Sequence, residues 1–216
     1  MRTHPVFLRL EGRRCVVVGG DVAAVEKAIT CHRAGALVTV VAPELTPELA
    51  AGHLRHVART YRDGDLSGAL LCYASTRDPA LVGRLRAEAE RERVLLNVID
   101  TPEASGFISP AVVARGELQI AIGTGGASPG LAARLRREVE TWLGPEYGPF
   151  VSILGAVRQA LVTDARRTDI LRELLASPLL DLVRQRRREE IDALLARIAG
   201  DGLTLDGLGV ALEERP

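Results

Sequence analysis

The stretch Cys15-Val-Val-Val-Gly-Gly-Asp-Val-Ala-Ala24 decides the fold. Its β-branched run, Cys15–Val18, reads as a buried strand and Gly19-Gly20 as a tight turn. Val22 to Arg33 reads as a helix with Val22, Val25, Ala28, Ile29 and His32 on one side. Strand, glycine turn and helix in that order aim backbone N–H groups and a positive helix end at an anion, as a dinucleotide pyrophosphate requires. The usual spacing is G-x-G-x-x-G/A. Gly19 and Ala24 fit it, but Asp21 stands where the middle glycine belongs. A carboxylate turned inward there would repel a pyrophosphate. Alternatively, the loop is one residue shorter and Asp21 caps the helix through its side chain.

Working outward, Ala34-Gly35-Ala36 stops the helix and Val38–Val41 is a second strand, ended by Ala42-Pro43. Thr46-Pro47 predicts a short helix near Pro47–Ala51. Arg55 to Tyr61 is a weak third strand, Leu70–Ala74 a fourth and Val94–Val98 a fifth, with a helix from Asp78-Pro79 to about Glu92 between the last two. Strands alternating with helical crossovers predict an α/β fold, a Rossmann-like parallel sheet covered on both faces. The chain then changes character. Phe107–Ile108 and Leu118–Ile122 are strand-like, with apolar Ala111–Ala114 and the turn Arg115-Gly116-Glu117 between them. Ser128-Pro129 opens a helix reaching about Trp142, which completes a small α+β segment. Beyond Gly144-Pro145 the pattern is helical. Phe150, Ile153, Leu154, Val157 and Leu161 form one stripe, and Ile170, Leu171, Leu174 and Leu175 another. Ser177-Pro178 caps a further helix carrying Leu182, Ile191, Leu194, Leu195 and Ile198. Arg184-Gln-Arg-Arg-Arg-Glu-Glu190 is read as its solvated face or as an anion-binding run. Leu203 to Leu212 is apolar but the pattern does not place it.

Composition narrows the function. The 216 residues are 47% hydrophobic and 26% charged with zero net charge, a globular balance that argues against broad binding to nucleic acid. Aromatics are 3%, too few for a base-stacking face. Mean hydropathy is +0.10, and no apolar run approaches the roughly 18–20 residues of a spanning helix. The start lacks a signal-peptide core, so a cytoplasmic protein without membrane contact is expected. Lys27 is the only lysine among 28 basic residues, which reads as a codon bias or a need for bidentate donors. Cys15, Cys31 and Cys72 are odd in number and widely spaced, and are expected as buried thiols. Without a CxxC pair, and with His53 and His56 facing opposite sides of a strand start, no metal site is expected.

Three further places invite ligands. Glu44, just past the second strand, is either the acidic residue that binds a ribose or an exposed loop glutamate. No arginine follows that strand, which favours NAD over NADP. Asn97-Val98-Ile99-Asp100 lies at the carboxyl end of the fifth strand, where ligands of open parallel sheets collect, and Asp100 is a functional or an ordinary turn aspartate. Gly123-Thr-Gly-Gly-Ala-Ser-Pro129 is a second anion-binding helix start or a plain capped loop.

Taken together, Pro5-Val-Phe-Leu-Arg-Leu10, Val16-Val-Val-Gly-Gly20, Ala34-Gly-Ala-Leu-Val-Thr-Val-Val-Ala-Pro43, Asn97–Asp100 and Gly123–Pro129 resemble the precorrin-2 dehydrogenases, the dehydrogenase/ferrochelatase module of siroheme synthase, in a stand-alone form. The similarity runs from about Pro5 to Arg137. It implies oxidation of precorrin-2 to sirohydrochlorin with NAD, and in some relatives insertion of Fe²⁺. It also implies a homodimer: residues 1–106 as the NAD-binding Rossmann domain, 107–143 as an exchanged dimerisation segment, and 144–216 as a helical substrate-cleft domain. Asp100 falls on the family's important aspartate and Ser128 on a serine phosphorylated in some members. The cofactor residues implied are Gly19, Gly20, Asp21, Val22, Ala23, Pro43, Glu44 and Thr76. Those for the substrate, a polycarboxylate, are Asn97, Thr124, Gly125, Gly126, Ser128 and Arg134. Relatives commonly carry three glycines where this chain has Gly19-Gly20-Asp21. Two other functions therefore stay open: a tetrapyrrole chelatase or carrier that does not use NAD, and a non-catalytic NAD-sensing domain.

Overall fold

A computed structural model describes residues 2–46, 54–200 and 202–212. The chain divides into two compact units, Met1–Ser109 with Gly125–Ala127, and Pro110–Thr124 with Ser128–Pro216.

The first unit is a five-stranded parallel sheet in the order β3-β2-β1-β4-β5. Its strands are β1 (Arg14–Val18), β2 (Leu37–Ala42), β3 (Arg55–Ala58), β4 (Leu71–Ala74) and β5 (Leu95–Val98). Central β1 sets Val18 opposite Val41 of β2 on one side and opposite Ala74 of β4 on the other. The chain leaves β1 toward β2 and returns on its other side as β4, so the carboxyl ends of β1 and β4 flank the crevice where such sheets take ligands. Two α-helices are described: α1 (Val22–Arg33) and α2 (Pro79–Glu92). Alternation along β1 divides the core. Cys15 and Val17 pack with Ala24, Val25, Ala28 and Cys31 of α1. Val16 and Val18 share the other face with Leu85 and Ala89 of α2, and with Leu66. Strands buried on both faces are what the continuous Val run required. All three cysteines are buried free thiols.

The second unit begins with the antiparallel pair β6 (Ala111–Arg115) and β7 (Leu118–Ile122), Ala111 opposite Ile122. Helices α3 (Pro129–Trp142), α4 (Tyr147–Ala160), α5 (Arg167–Ala176), α6 (Leu179–Arg184) and α7 (Arg188–Ala199) follow. Ile153, Val157, Leu174, Leu179, Ile191 and Leu195 form the centre of one apolar cluster.

Two expectations change. Phe107–Ile108 is irregular, because the Phe107 carbonyl accepts from Asn97 Nδ2 (2.8 Å) instead of joining a ladder, and the strand partner of Leu118–Ile122 is Ala111–Arg115. The helix expected after Pro178 is two helices. Arg186 has φ +56°, which stops α6, and Arg187 N–H returns to the Leu182 carbonyl (3.0 Å) before α7 begins. The tail is now placed: Leu205 and Val210 are buried in the helical cluster, and Leu205 N–H donates to Asp192 Oδ1 on α7 (2.7 Å). The helix expected near Pro47–Ala51 lies outside the described residues. Among the described residues no helix is long and apolar enough to cross a membrane.

Candidate functional site

The glycine turn resolves in favour of the shorter loop. Asp21 is the N-cap of α1: its Oδ1 accepts from Ala24 N–H (2.9 Å), and its Oδ2 accepts from Ser75 Oγ at the end of β4 (2.6 Å). Partial burial pushes the Asp21 pKa up. The hydrogen bonds from Ser75 and the Ala24 and Ala23 amides outweigh it and hold the carboxyl below its usual range. Both oxygens are therefore engaged by the turn itself. Val22 is exposed and Ala23 half-buried in the first turn that follows.

The two glycines are required by close approach. Gly19 has φ +119°, and a Cβ on it would lie 2.9 Å from the Ser75 carbonyl oxygen. A Cβ on Gly20 would lie 2.0 Å from the Glu44 carbonyl oxygen. The chain after β2 thus rests directly on the turn, and Thr46 N–H donates to the Gly20 carbonyl (3.1 Å). Above this contact opens a cleft of about 370 Å³, lined by Val18, Gly19, Gly20, Val41, Ala42, Pro43, Glu44, Thr60, Tyr61, Ser75 and Leu81. Its walls are mostly apolar, while Pro43 and Glu44 are exposed. Glycines that admit close backbone approach, a capped helix start, an apolar recess and an exposed carboxylate past β2 match what a dinucleotide needs.

Of the residues the sequence singled out for the cofactor, Gly19, Gly20, Pro43 and Glu44 line this cleft. Asp21, Val22, Ala23 and Thr76 do not; the Thr76 Oγ1 accepts from Asp78 N–H (3.2 Å) at the start of α2. Sequence reasoning missed Ser75, Thr60, Tyr61 and Leu81. Ser75 had a signal, since it is the first residue past a strand beside β1. Thr60 and Tyr61 read from the sequence as the end of the third strand, but that strand stops at Ala58 and leaves them in an irregular segment.

Asp100 is exposed at the carboxyl end of β5. Thr101 N–H donates to the Val98 carbonyl (3.0 Å), which closes a turn with Asp100 third, at φ +60°. Glycine or asparagine ordinarily occupies that position, so an aspartate held there is backbone strain at an exposed strand end. Ser105 Oγ accepts from Val98 N–H (2.9 Å) and donates to the Thr101 carbonyl (3.0 Å), bracing both sides of the turn. Asn97 is buried and gives its amide to Phe107.

In the second glycine loop, Gly125 and Gly126 both have positive φ, +61° and +81°. Thr124 Oγ1 accepts from Ser128 N–H (3.1 Å), and Ser128 Oγ accepts from Leu131 N–H (3.2 Å) to cap α3. Arg134, one turn further, is exposed and pairs with Glu138 (2.7 Å). His56 Nε2 donates to the Ala42 carbonyl (2.8 Å), and His53 lies outside the described residues. Among the described residues no group of three or more His, Cys, Asp or Glu side chains could hold a metal ion.

Residues 6–111 match the family described as putative NAD(P)-binding, and residues 115–141 the one described as sirohaem biosynthesis protein central. The siroheme synthase of Methylobacillus flagellatus is 39% identical over 165 residues, 74% of this chain and 35% of its own length. That of Thioalkalivibrio sulfidiphilus is 34% identical over 211 residues, 94% of this chain and 43% of its own. The chain thus spans less than half the length of these relatives. A solved structure of SirC, a precorrin-2 dehydrogenase, superposes with a TM-score of 0.68 at 26% identity, covering 88% of this chain and all of that one.

Proposed function

Since the chain belongs to the NAD(P)-binding, sirohaem-biosynthesis family of these relatives, we propose that it oxidises precorrin-2 to sirohydrochlorin with NAD⁺. The carrying observation is the Gly19-Gly20 turn, pressed between the Ser75 and Glu44 carbonyls beneath an open apolar cleft. Bound there, NAD⁺ supplies the hydride acceptor. Gly20 and the Asp21-capped start of α1 hold the phosphates, and Glu44 receives a ribose hydroxyl. Asp100 takes the proton that the macrocycle releases when its hydride leaves, a transfer that a positioned carboxylate accelerates. The Ser128 helix start and Arg134 are assigned to the substrate's carboxylates.

The same reading makes the protein a cytoplasmic homodimer, with residues 107–143 as the dimerisation segment. Val112 on β6 and Leu131 and Trp142 on α3 are exposed apolar side chains in that segment, which supports it. Sedimentation at a mass near 23.2 kDa would remove the dimer.

Incubation with precorrin-2 and NAD⁺, followed by absorption, tests the reaction; no sirohydrochlorin at any NAD⁺ concentration overturns it. Fe²⁺, supplied afterwards as a substrate, tests chelation. Calorimetry separates the alternatives. NAD⁺ binding rejects a chelatase or carrier that does not use NAD, and precorrin-2 binding rejects a purely NAD-sensing domain.

A further inference from the structure

Residues 59–70 join β3 to β4 without a helix, and side chains hold them in place of a regular backbone ladder. Asp65 accepts twice from the Arg59 guanidinium (2.7 Å each) and once from Arg62 N–H (2.8 Å). Arg14 on β1 donates to the Asp65 carbonyl (2.9 Å). The deepest attachment is Glu88. It lies on the inner face of α2 with 1% of its surface exposed, a rare setting for a carboxylate. Its Oε1 accepts from Gly64 N–H (2.8 Å) and Leu66 N–H (3.0 Å), and its Oε2 accepts from the Tyr61 hydroxyl. Arg91 stands 4.0 Å away as the nearest cation.

Tyr61 is the link to the cleft. It is 4% exposed and lines the apolar wall with Thr60 and Leu81. The Arg84 guanidinium lies 5.2 Å from its ring centroid and pairs with Asp63 (2.8 Å), so the ring is held from a second direction. Burial, then the adjacent Glu88, holds the phenol well above its usual pKa, so it remains a donor.

We propose that Glu88 is a positioning residue for the dinucleotide: its buried carboxylate fixes the Thr60–Tyr61 wall of the cleft, and so sets dinucleotide affinity without touching the ligand. A helix would carry that wall on its own backbone bonds. An irregular segment needs an acceptor at its centre, and Glu88 supplies one to two amides and a phenol at once. Removing it leaves those donors buried without partners, and the wall loses its fixed position. The inference rests on the NAD reading of the cleft.

NAD⁺ titrated calorimetrically into the unaltered chain, Glu88→Gln, Glu88→Ala and Tyr61→Phe tests it. Glu88→Gln keeps an acceptor for the amides and should bind within about threefold of the unaltered chain. Glu88→Ala should bind roughly tenfold more weakly. Its KM for NAD⁺ should rise in proportion while kcat at saturating NAD⁺ stays within about twofold. Glu88→Ala that folds, melts earlier and yet binds NAD⁺ like the unaltered chain makes the residue purely structural and overturns the proposal. Should that variant fail to fold, Tyr61→Phe decides. The expected result is affinity lowered about threefold; unchanged affinity overturns it. An unaltered chain that does not bind NAD⁺ removes the dinucleotide reading and this proposal together, whereas binding that no variant alters removes the proposal alone.

Discussion

Ser75 Oγ donates to Asp21 Oδ2 at 2.6 Å, tying the end of β4 to the first turn of α1 across the mouth of the sheet. A residue that looked like a defect in the glycine turn therefore closes it. Asp21→Ala removes the cap and the tie together and should lower unfolding free energy by about 1–2 kcal/mol, read in urea. Ser75→Ala leaves the Ala24 cap and should lower it by about half as much.

The same carboxyl gives a pH dependence. Asp21 titrates below its usual range in the folded chain. So does Asp65, held down first by the Arg59 guanidinium against an opposing push from burial. A depressed folded pKa contributes stability that is present above the unfolded value, about 3.9, and is lost as pH falls through the folded one. Midpoints measured from pH 6 to pH 2 should decline through this window, and Asp21→Asn should flatten part of the decline. A decline identical in that variant would assign it elsewhere.

Gly20→Ala places a methyl 2.0 Å from the Glu44 carbonyl oxygen, which is backbone and cannot rotate aside. Over-packing of this kind destabilises by about 1–3 kcal/mol. Because relief must push Glu44 away from the turn, NAD⁺ affinity should fall together with the melting temperature. A variant that melts earlier yet binds NAD⁺ normally would detach the contact from the site.

What the sequence disclosed was whatever periodicity and local capping encode. The apolar run Cys15–Val18 could only be a buried strand, and Asp78-Pro79 and Ser128-Pro129 announced their helices by cap chemistry that the structure repeats. The dinucleotide turn was legible because glycine spacing is a backbone requirement. Residues 59–70 were not, since the carboxylate that organises them is Glu88, about two dozen residues away on another element. Arg186 gave no warning either: nothing in a run of arginines marks which one turns left-handed, and the buried Val183 and Ile191 lie on either side of the break. The tail was opaque because its apolar residues follow neither period, being matched to gaps between helices and not to a face of their own.

That tail supplies a test. Leu205 is fully buried among the helices of the second unit, with its N–H on Asp192. Leu205→Ala should lower unfolding free energy by about 2–5 kcal/mol, and Asp192→Ala by about 1–2 kcal/mol through the buried amide it strands. Truncation before Leu203 that leaves the melting temperature unchanged would show the tail to be dispensable.

Asp100 offers the sharpest separation of folding from chemistry. At φ +60° in the turn after β5 the backbone prefers Gly or Asn, so the carboxylate is kept there against local preference. Asp100→Asn has nearly the same shape and tolerates the left-handed region, so its stability should lie within about 0.5 kcal/mol of the unaltered chain. It cannot accept a proton, and turnover of precorrin-2 should fall about 10²–10⁴-fold, with NAD⁺ affinity unchanged because Asp100 does not line the cleft. Asp100→Gly should be as stable or more so and equally inactive. Asp100→Val, β-branched, should lose about 1–2 kcal/mol besides. If Asn, Gly and Val all retained turnover, the carboxylate would be no base. If all three lost stability alike, the turn would not be the strained one that its geometry describes. The combination expected, an inactive Gly variant that melts no earlier than the active chain, places the Asp100 carboxylate in the chemistry and not in the stability of the turn.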